Sequence, residues 1–209
     1  MFQDGALTFQ EFSMSEPVPL AMIHAAVLEF LSGRDDVALF GAQAVNAYVD
    51  EPRMTQDVDL LSPHAGELAQ ALRQYLTDKL QIATRVRQVR EGVGYRIYQV
   101  RKPQNRHLVD IRLVEQLPPT ERIAGILVVS PSELIANKVI ALYRRRGQPK
   151  SGTDWRDLAL LLLTFSNLKS DRGPVYERLQ AAAAAPEILA SWSELVAQEI
   201  VPEDEDAEF

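Results

Sequence analysis

The sequence predicts a mixed α/β (α+β) fold: a β-sheet flanked by helices, followed by a C-terminal helical bundle. Three observations predict it. Short apolar runs bounded by turn residues recur between Val37 and Ser130 and read as strands. Among them stands AGELAQALRQYLTDKL, Ala65–Leu80, an amphipathic stretch with helical spacing. From Ser130 onward the periodicity is helical throughout.

Taken in order, LAMIHAAVLEFL is a helix within 17–33, with Gly33 as its stop. VALF is a short buried strand ending at Gly41, AQAVNAYV a short helix and VDLL a second strand. After the Ala65–Leu80 helix come three strand-like runs, IATRVRQV, YRIYQVRK and HLVDIRLV, with EGVG turning the first into the second. ILVVS is a last short strand. SPSELIANKVIALYRRRG opens with Ser130 as N-cap, Pro131 at the first helical position and Glu133 to complete a capping box; Gly147 closes it. TDWRDLALLLLTF is a helix capped by Thr153, and GPVYERLQAAAAA and PEILASWSELVAQEI complete the helical end, the alanine tract reflecting helix propensity. The expected division is therefore residues 1–129 as the α/β core, 130–202 as the helical region and 203–209 as a flexible acidic tail.

Composition narrows the function classes. The chain has no cysteine, which excludes disulfides and cysteine-ligated zinc. Its longest apolar run, LALLLL, is far short of the roughly 18 residues needed to span a bilayer. The first residues show no signal-peptide pattern, so the expected location is the cytoplasm. The net charge of −7 argues against a nucleic-acid partner, but its distribution weakens that argument. Acidic residues crowd into VPEDEDAEF, whereas Arg85, Arg87, Arg90, Arg96, Arg101, Lys102, Arg106 and Arg112 dominate the strand region. Such arginines form either the wet face of a sheet or a basic wall facing a phosphate-rich ligand.

The chemistry concentrates in FGAQAVNAYVDEPRMTQDVDLL, Phe40–Leu61. Strand side chains alternate, so Asp57 and Asp59 share one face while Val58 and Leu60 take the other. Their Cα atoms fall roughly 6–7 Å apart, at about 3.3 Å of rise per residue. Two carboxylates so placed raise each other's pKa unless a cation lies between them, and hard Mg²⁺ prefers such oxygen ligands. Asp110 has the same setting, opposite Val109, Ile111 and Leu113 and on the face of Leu108 and Arg112. If its strand neighbours that of Asp57, three carboxylates converge, enough for a two-metal site. The plainer reading leaves each aspartate solvated on a sheet face. Gly41, at a strand–helix junction, allows close backbone approach to a ligand, and the N–H groups of the helix start suit a phosphate. His24, His64 and His107 share no ligand spacing and read as structural.

GAQA…RMTQDVDLL resembles the signature of the polymerase-β-type nucleotidyltransferase superfamily, and the R-x-T-x-D-x-D form (Arg53, Thr55, Asp57, Asp59) resembles its AbiEii/AbiGii abortive-infection toxin branch. ELIANKVIALYRRR…KSGTDWRDLALL is similar to that branch's lysine helix and K-D-x-x-D-L element, placing Lys138, Asp154 and Asp157 on its motif. The likeness spans Phe40–Leu163. It implies that Asp57 and Asp59 bind two Mg²⁺ ions (Mn²⁺ being the substitute) and that Asp110 binds one of them and helps deprotonate the attacking hydroxyl. Gly41 and Ala42, with Gln43 beside them, would hold the NTP phosphates, and Lys138 would offset charge in the transition state. Arg53 and Thr55 would support the metal loop or touch nucleotide. Asp154 and Asp157 either complement a helix dipole or fix Lys138 or Arg53 in place.

The implied activity is transfer of an NMP from an NTP to a hydroxyl of RNA (a tRNA 3′ end), a protein or a small molecule, by a toxin with a cognate antitoxin and no membrane. A second reading keeps the fold without turnover, as a nucleotide- or partner-binding protein such as an antitoxin. Ala42, which has no hydroxyl for a phosphate, and the acidic balance lean toward it. The three aspartates lean against it.

Overall fold

The computed structural model describes residues 18–90 and 92–202. The N-terminal stretch ahead of Val18 and the acidic tail 203–209 lie outside the described residues. Seven strands, β1 Ala38–Phe40, β2 Val58–Ser62, β3 Thr84–Arg90, β4 Gly94–Gln99, β5 Arg106–Leu113, β6 Thr120–Ile123 and β7 Ile126–Val129, form one sheet among the described residues. Its order is β3-β4-β5-β2-β1-β7-β6. β2 runs parallel to β5 and β1 to β7, and the other neighbours are antiparallel, so the sheet is mixed.

Helix α1, Leu20–Leu31, precedes β1; α2, Gly41–Asn46, follows it directly; and α3, Ala65–Leu80, joins β2 to β3. α3 buries Leu68, Leu72 and Leu76, the i, i+4, i+8 stripe its sequence shows. It packs on β2 to β5, where Val58, Leu60, Ile97, Val109 and Ile111 are almost wholly buried. Each such Leu or Ile contributes roughly 1.5–3 kcal/mol by leaving water. Alternation sends the residues between them, Asp59 and Asp110 among them, to the opposite face. After the sheet come α4 Pro131–Arg144, α5 Lys150–Thr164, a 3₁₀ turn at Ser166–Leu168, α6 Pro174–Ala181 and α7 Pro186–Ala197.

The structure corrects the sequence reading at four places. Strand β6 is unexpected: it pairs with β7 through a hairpin whose turn residues, Ala124 and Gly125, have φ of +47° and +83°. Such a turn favours Asn-Gly, and alanine hides it. α5 begins at Lys150 behind Pro149, so Thr153 is not its cap. α6 ends at Ala181, because the residue before Pro186 is disfavoured in the helical region and Ala183 takes φ of +49°. Ser130 precedes α4 but its side chain accepts no capping bond, and Glu133 instead accepts from Asn137.

Candidate active site

Asp59 on β2 and Asp110 on β5 are register partners in a parallel pair, so their side chains stand side by side on the sheet face away from α3. Asp57 comes just before β2 rather than within it, at the end of the loop from α2. Phe40, register partner of Asp59 across β1, is followed by Gly41 at φ +67°. A Cβ at Gly41 would lie 2.8 Å from Cγ of Asp59, so glycine is required twice over, by conformation and by this contact. The close approach that the glycine permits is therefore first to Asp59. Burial, reinforced by the charge of Asp57, pushes the Asp59 carboxyl above its usual range.

His107, read from sequence as structural, belongs to this group. Its Nδ1 is 3.2 Å from Asp57 and its Nε2 3.3 Å from Asp110. A register shift in β4–β5 explains how it gets there: Ile97 faces Val109 but Tyr98 faces His107, leaving Leu108 as an extra residue. The bulge turns Leu108, fully buried, to the core side with Val109 and puts His107 on the face of Asp110. Leu108 thus leaves the face on which alternation placed it. The two carboxylates, Asp110 first, raise His107 to about 10. His107 in turn holds Asp57 below its usual range. Burial pushes Asp110 up, but His107 and Arg96, whose Nε is 2.7 Å away, outweigh it and hold the carboxyl low.

One ligand atom from each of Asp57, His107 and Asp110 lies within 4.8 Å of the others, a spacing that suits one metal ion. Nε2 of His107 is also enclosed without an aligned hydrogen-bond partner, and Asp59 supplies a further carboxylate beside the group. The carboxylate oxygens of Asp57, Asp59 and Asp110 fit a divalent cation, with His107 able to join them once its ring has given up a proton.

A second cluster joins this loop to the helices. Arg53 makes two bonds to Asp157, 2.7 and 2.9 Å, and Lys138 Nζ is 2.6 Å from the same carboxylate. Asp154 takes Arg145 at 2.7 Å and Lys138 at 3.5 Å. Asp154 and Asp157 are 3% and 1% exposed, so they are anchors of a buried ion-pair network. With α5 starting at Lys150, neither stands in the first turn, and the helix-dipole reading gives way to the one in which they fix Lys138 and Arg53. Burial raises the Asp157 carboxyl, but Arg53 and Lys138 outweigh it and hold it below its ordinary range.

Neutral side chains brace the same loop. Asn46 of α2 clasps Arg53, donating to its carbonyl at 2.8 Å and accepting from its N–H at 3.1 Å. Gln43 Nε2 donates to Thr55 Oγ1 at 2.8 Å and lies 3.0 Å from Nδ1 of His24 on α1. Thr55 and Gln43 are thus tied to each other within the loop support, with Ala42 beside Gln43 at the start of α2. Asn46 and His24 are not legible as site residues: Asn46 reaches Arg53 only through the fold of the loop between them, and His24 meets Gln43 from a separate helix. On the far side of Asp110, Arg87 pairs in register with Arg96, Arg85 lies over the Tyr98 ring at 5.9 Å, and Tyr98 stacks near His107 at 5.2 Å. The basic wall therefore adjoins the carboxylates.

Comparison with known proteins gives the family and the fold. The family model described as nucleotidyl transferase AbiEii toxin, type IV toxin–antitoxin system, matches residues 25–207. Among solved structures, the chain is similar to JHP933 from Helicobacter pylori, with 16% identity and a TM-score of 0.57 over 94% of this chain and 84% of that one. It is also similar to the Megavirus polyadenylate synthase, with 14% identity and a TM-score of 0.56 over 73% of this chain. This chain spans 33% of the viral protein's length. At such identities these likenesses show the shared fold. A search of curated proteins finds no match. On the family match, which covers most of its length, the chain belongs to the AbiEii family of type IV toxin nucleotidyltransferases.

Proposed function

We propose that the protein transfers a nucleoside monophosphate from an NTP to a hydroxyl of RNA, with Mg²⁺ held by Asp57, Asp59 and Asp110. The observation that carries this reading is the in-register pair Asp59–Asp110, joined by Asp57 and His107 in one cluster. Bound there, the ion polarises phosphate oxygens and offsets the charge that builds during transfer; Mn²⁺, with the same oxygen preference, is its substitute.

The chain's own residues do the rest. The acceptor oxygen bonds to the α-phosphorus, pyrophosphate leaves, and the hydroxyl proton passes to Asp110. Arg96 and His107 hold that carboxylate ionised and in place beside the acceptor. The amides of Gly41 and Ala42 hold the β- and γ-phosphates. The buried network sets three cations, Arg53, Lys138 and Arg145, against two carboxylates, Asp154 and Asp157. One positive charge is left over, and Lys138 presents it to the phosphates. In this division residues 1–129 supply the carboxylates and residues 130–202 the lysine. The basic face of Arg85, Arg87 and Arg96, with Tyr98 as a stacking ring, supports an RNA acceptor such as a tRNA 3′ end over a protein or small molecule. A cognate antitoxin is the partner that the family implies.

Thermal shift tests the site directly. NTP with Mg²⁺ stabilises the wild-type protein, and Asp57→Ala abolishes the metal-dependent part. NTP stabilisation that is identical with and without Mg²⁺, or unchanged in Asp57→Ala, contradicts the reading.

A further inference from the structure

Helix α1 carries a half-buried imidazole that the transfer chemistry leaves unused. His24 stands on the buried stripe of α1 with Val27 and Leu31, at i, i+3 and i+7, so the helix holds its backbone firmly. Such a position ordinarily takes an aliphatic side chain. The polar ring there has polar neighbours, and they belong to the loop that leads into the carboxylates.

Nδ1 of His24 lies 3.0 Å from Gln43 Nε2, and the same amide donates to Thr55 Oγ1 at 2.8 Å. That amide nitrogen has one hydrogen for each partner, so Nδ1 accepts and the ring proton sits on Nε2. Nε2 is enclosed and has no aligned partner among the described residues. The backbone carbonyl of Gln56, which favours the charged ring, is the acceptor at hand for it. Burial outweighs that carbonyl and holds the His24 pKa below its usual range, so the ring joins this chain neutral.

Thr55 and Gln56 are the two residues directly before Asp57. Thr55 is 8% exposed, so its hydroxyl depends on the Gln43 amide rather than on water. Segment 53–57 belongs to no helix or strand, and side-chain bonds therefore set its path. At its start, Asn46 and Asp157 secure Arg53. At its end, the chain His24–Gln43–Thr55 does so from the opposite half of the fold.

We infer that His24 is a positioning residue of the metal centre: acting through Gln43 and Thr55, it fixes the segment that delivers Asp57 to the ion. The inference rests on the reading of Asp57 as a metal ligand. Partners that orient a ligand in this way typically carry 10–100-fold in metal affinity.

Mn²⁺ titration, with the free ion followed by electron paramagnetic resonance, tests it alongside denaturant unfolding. His24→Leu preserves the apolar stripe, so the unfolding midpoint stays close to wild type while Mn²⁺ affinity falls roughly tenfold or more. His24→Asn, which keeps a polar group at the position of Nδ1, restores most of that affinity. In a Gln43→Leu background His24→Leu costs less than it does alone, because the route is already cut. Should His24→Leu fail to fold, Thr55→Val cuts the same chain at its other end and weakens Mn²⁺ in the same way. Unchanged Mn²⁺ affinity in the folded variant, equal loss in His24→Leu and His24→Asn, or effects of His24→Leu and Gln43→Leu that simply multiply, overturns the positioning role alone. Mn²⁺ binding that is no tighter in the wild type than in Asp57→Ala overturns the metal reading and the positioning role with it.

Discussion

Arg53 and Asp157, 104 residues apart in sequence, meet in a two-pronged ion pair of 2.7 and 2.9 Å, and Lys138 shares the same carboxylate. The pair fastens the loop that ends in Asp57 to a helix of the C-terminal half. Asp157→Asn leaves Arg53 without its counter-charge and Lys138 with only the longer contact to Asp154, at a carboxylate 1% exposed, and we predict a loss of about 3–5 kcal/mol in denaturant unfolding. Because the folded-state pKa of Asp157 lies below its ordinary 3.8, its contribution is present above that pH and is lost as pH falls through the lowered value. The gap between wild type and Asp157→Asn therefore narrows on the acid side of pH 3.8, measurable as unfolding midpoints from pH 6 downward.

Gly41→Ala tests the strand–helix junction. The positive φ alone costs about 1–3 kcal/mol in a residue with a side chain. The added methyl also displaces Asp59, so nucleotide transfer falls further than stability. Equilibrium unfolding and transfer rate, measured on one preparation, check both parts.

Much of this site was legible in the sequence because period-two alternation needs only local information. Val58 and Leu60 against Asp59, and Val109 and Ile111 against Asp110, place both carboxylates on one face before any contact is known. That their strands are neighbours was conditional until the sheet order placed β2 beside β5. His107 was out of reach because a single extra residue, Leu108, inverts the alternation, and nothing in RHLVDIRLV marks a bulge. The roles of Asp154 and Asp157 stayed open for a different reason. GQPKSGT reads as loop, so the helix start was set at Thr153, and only tertiary pairing with Arg53, Lys138 and Arg145 shows that these carboxylates are buried.

His107 yields a pH prediction for the metal-free protein. Its pKa rises from 6.5 to about 10, so the stability it contributes is fully present below pH 6.5 and is lost as pH climbs through 10. In a chelator, His107→Gln is less stable than wild type by the largest margin near pH 6, and the margin closes by about pH 10. Mg²⁺ competes with the imidazolium for Asp57 and Asp110. Following the ring by NMR, we expect its pKa to drop when the ion is added.

Nucleotidyl transfer itself is the most direct test of the central claim, that Asp57, Asp59 and Asp110 form the metal-dependent centre. Labelled NTPs, Mg²⁺ and total RNA are incubated with the wild type and with the double variant Asp57→Ala/Asp59→Ala. The account predicts label in RNA with the wild type alone, abolished by chelation and restored by Mg²⁺. Equal labelling by the two proteins, or labelling that persists in chelator, would contradict it.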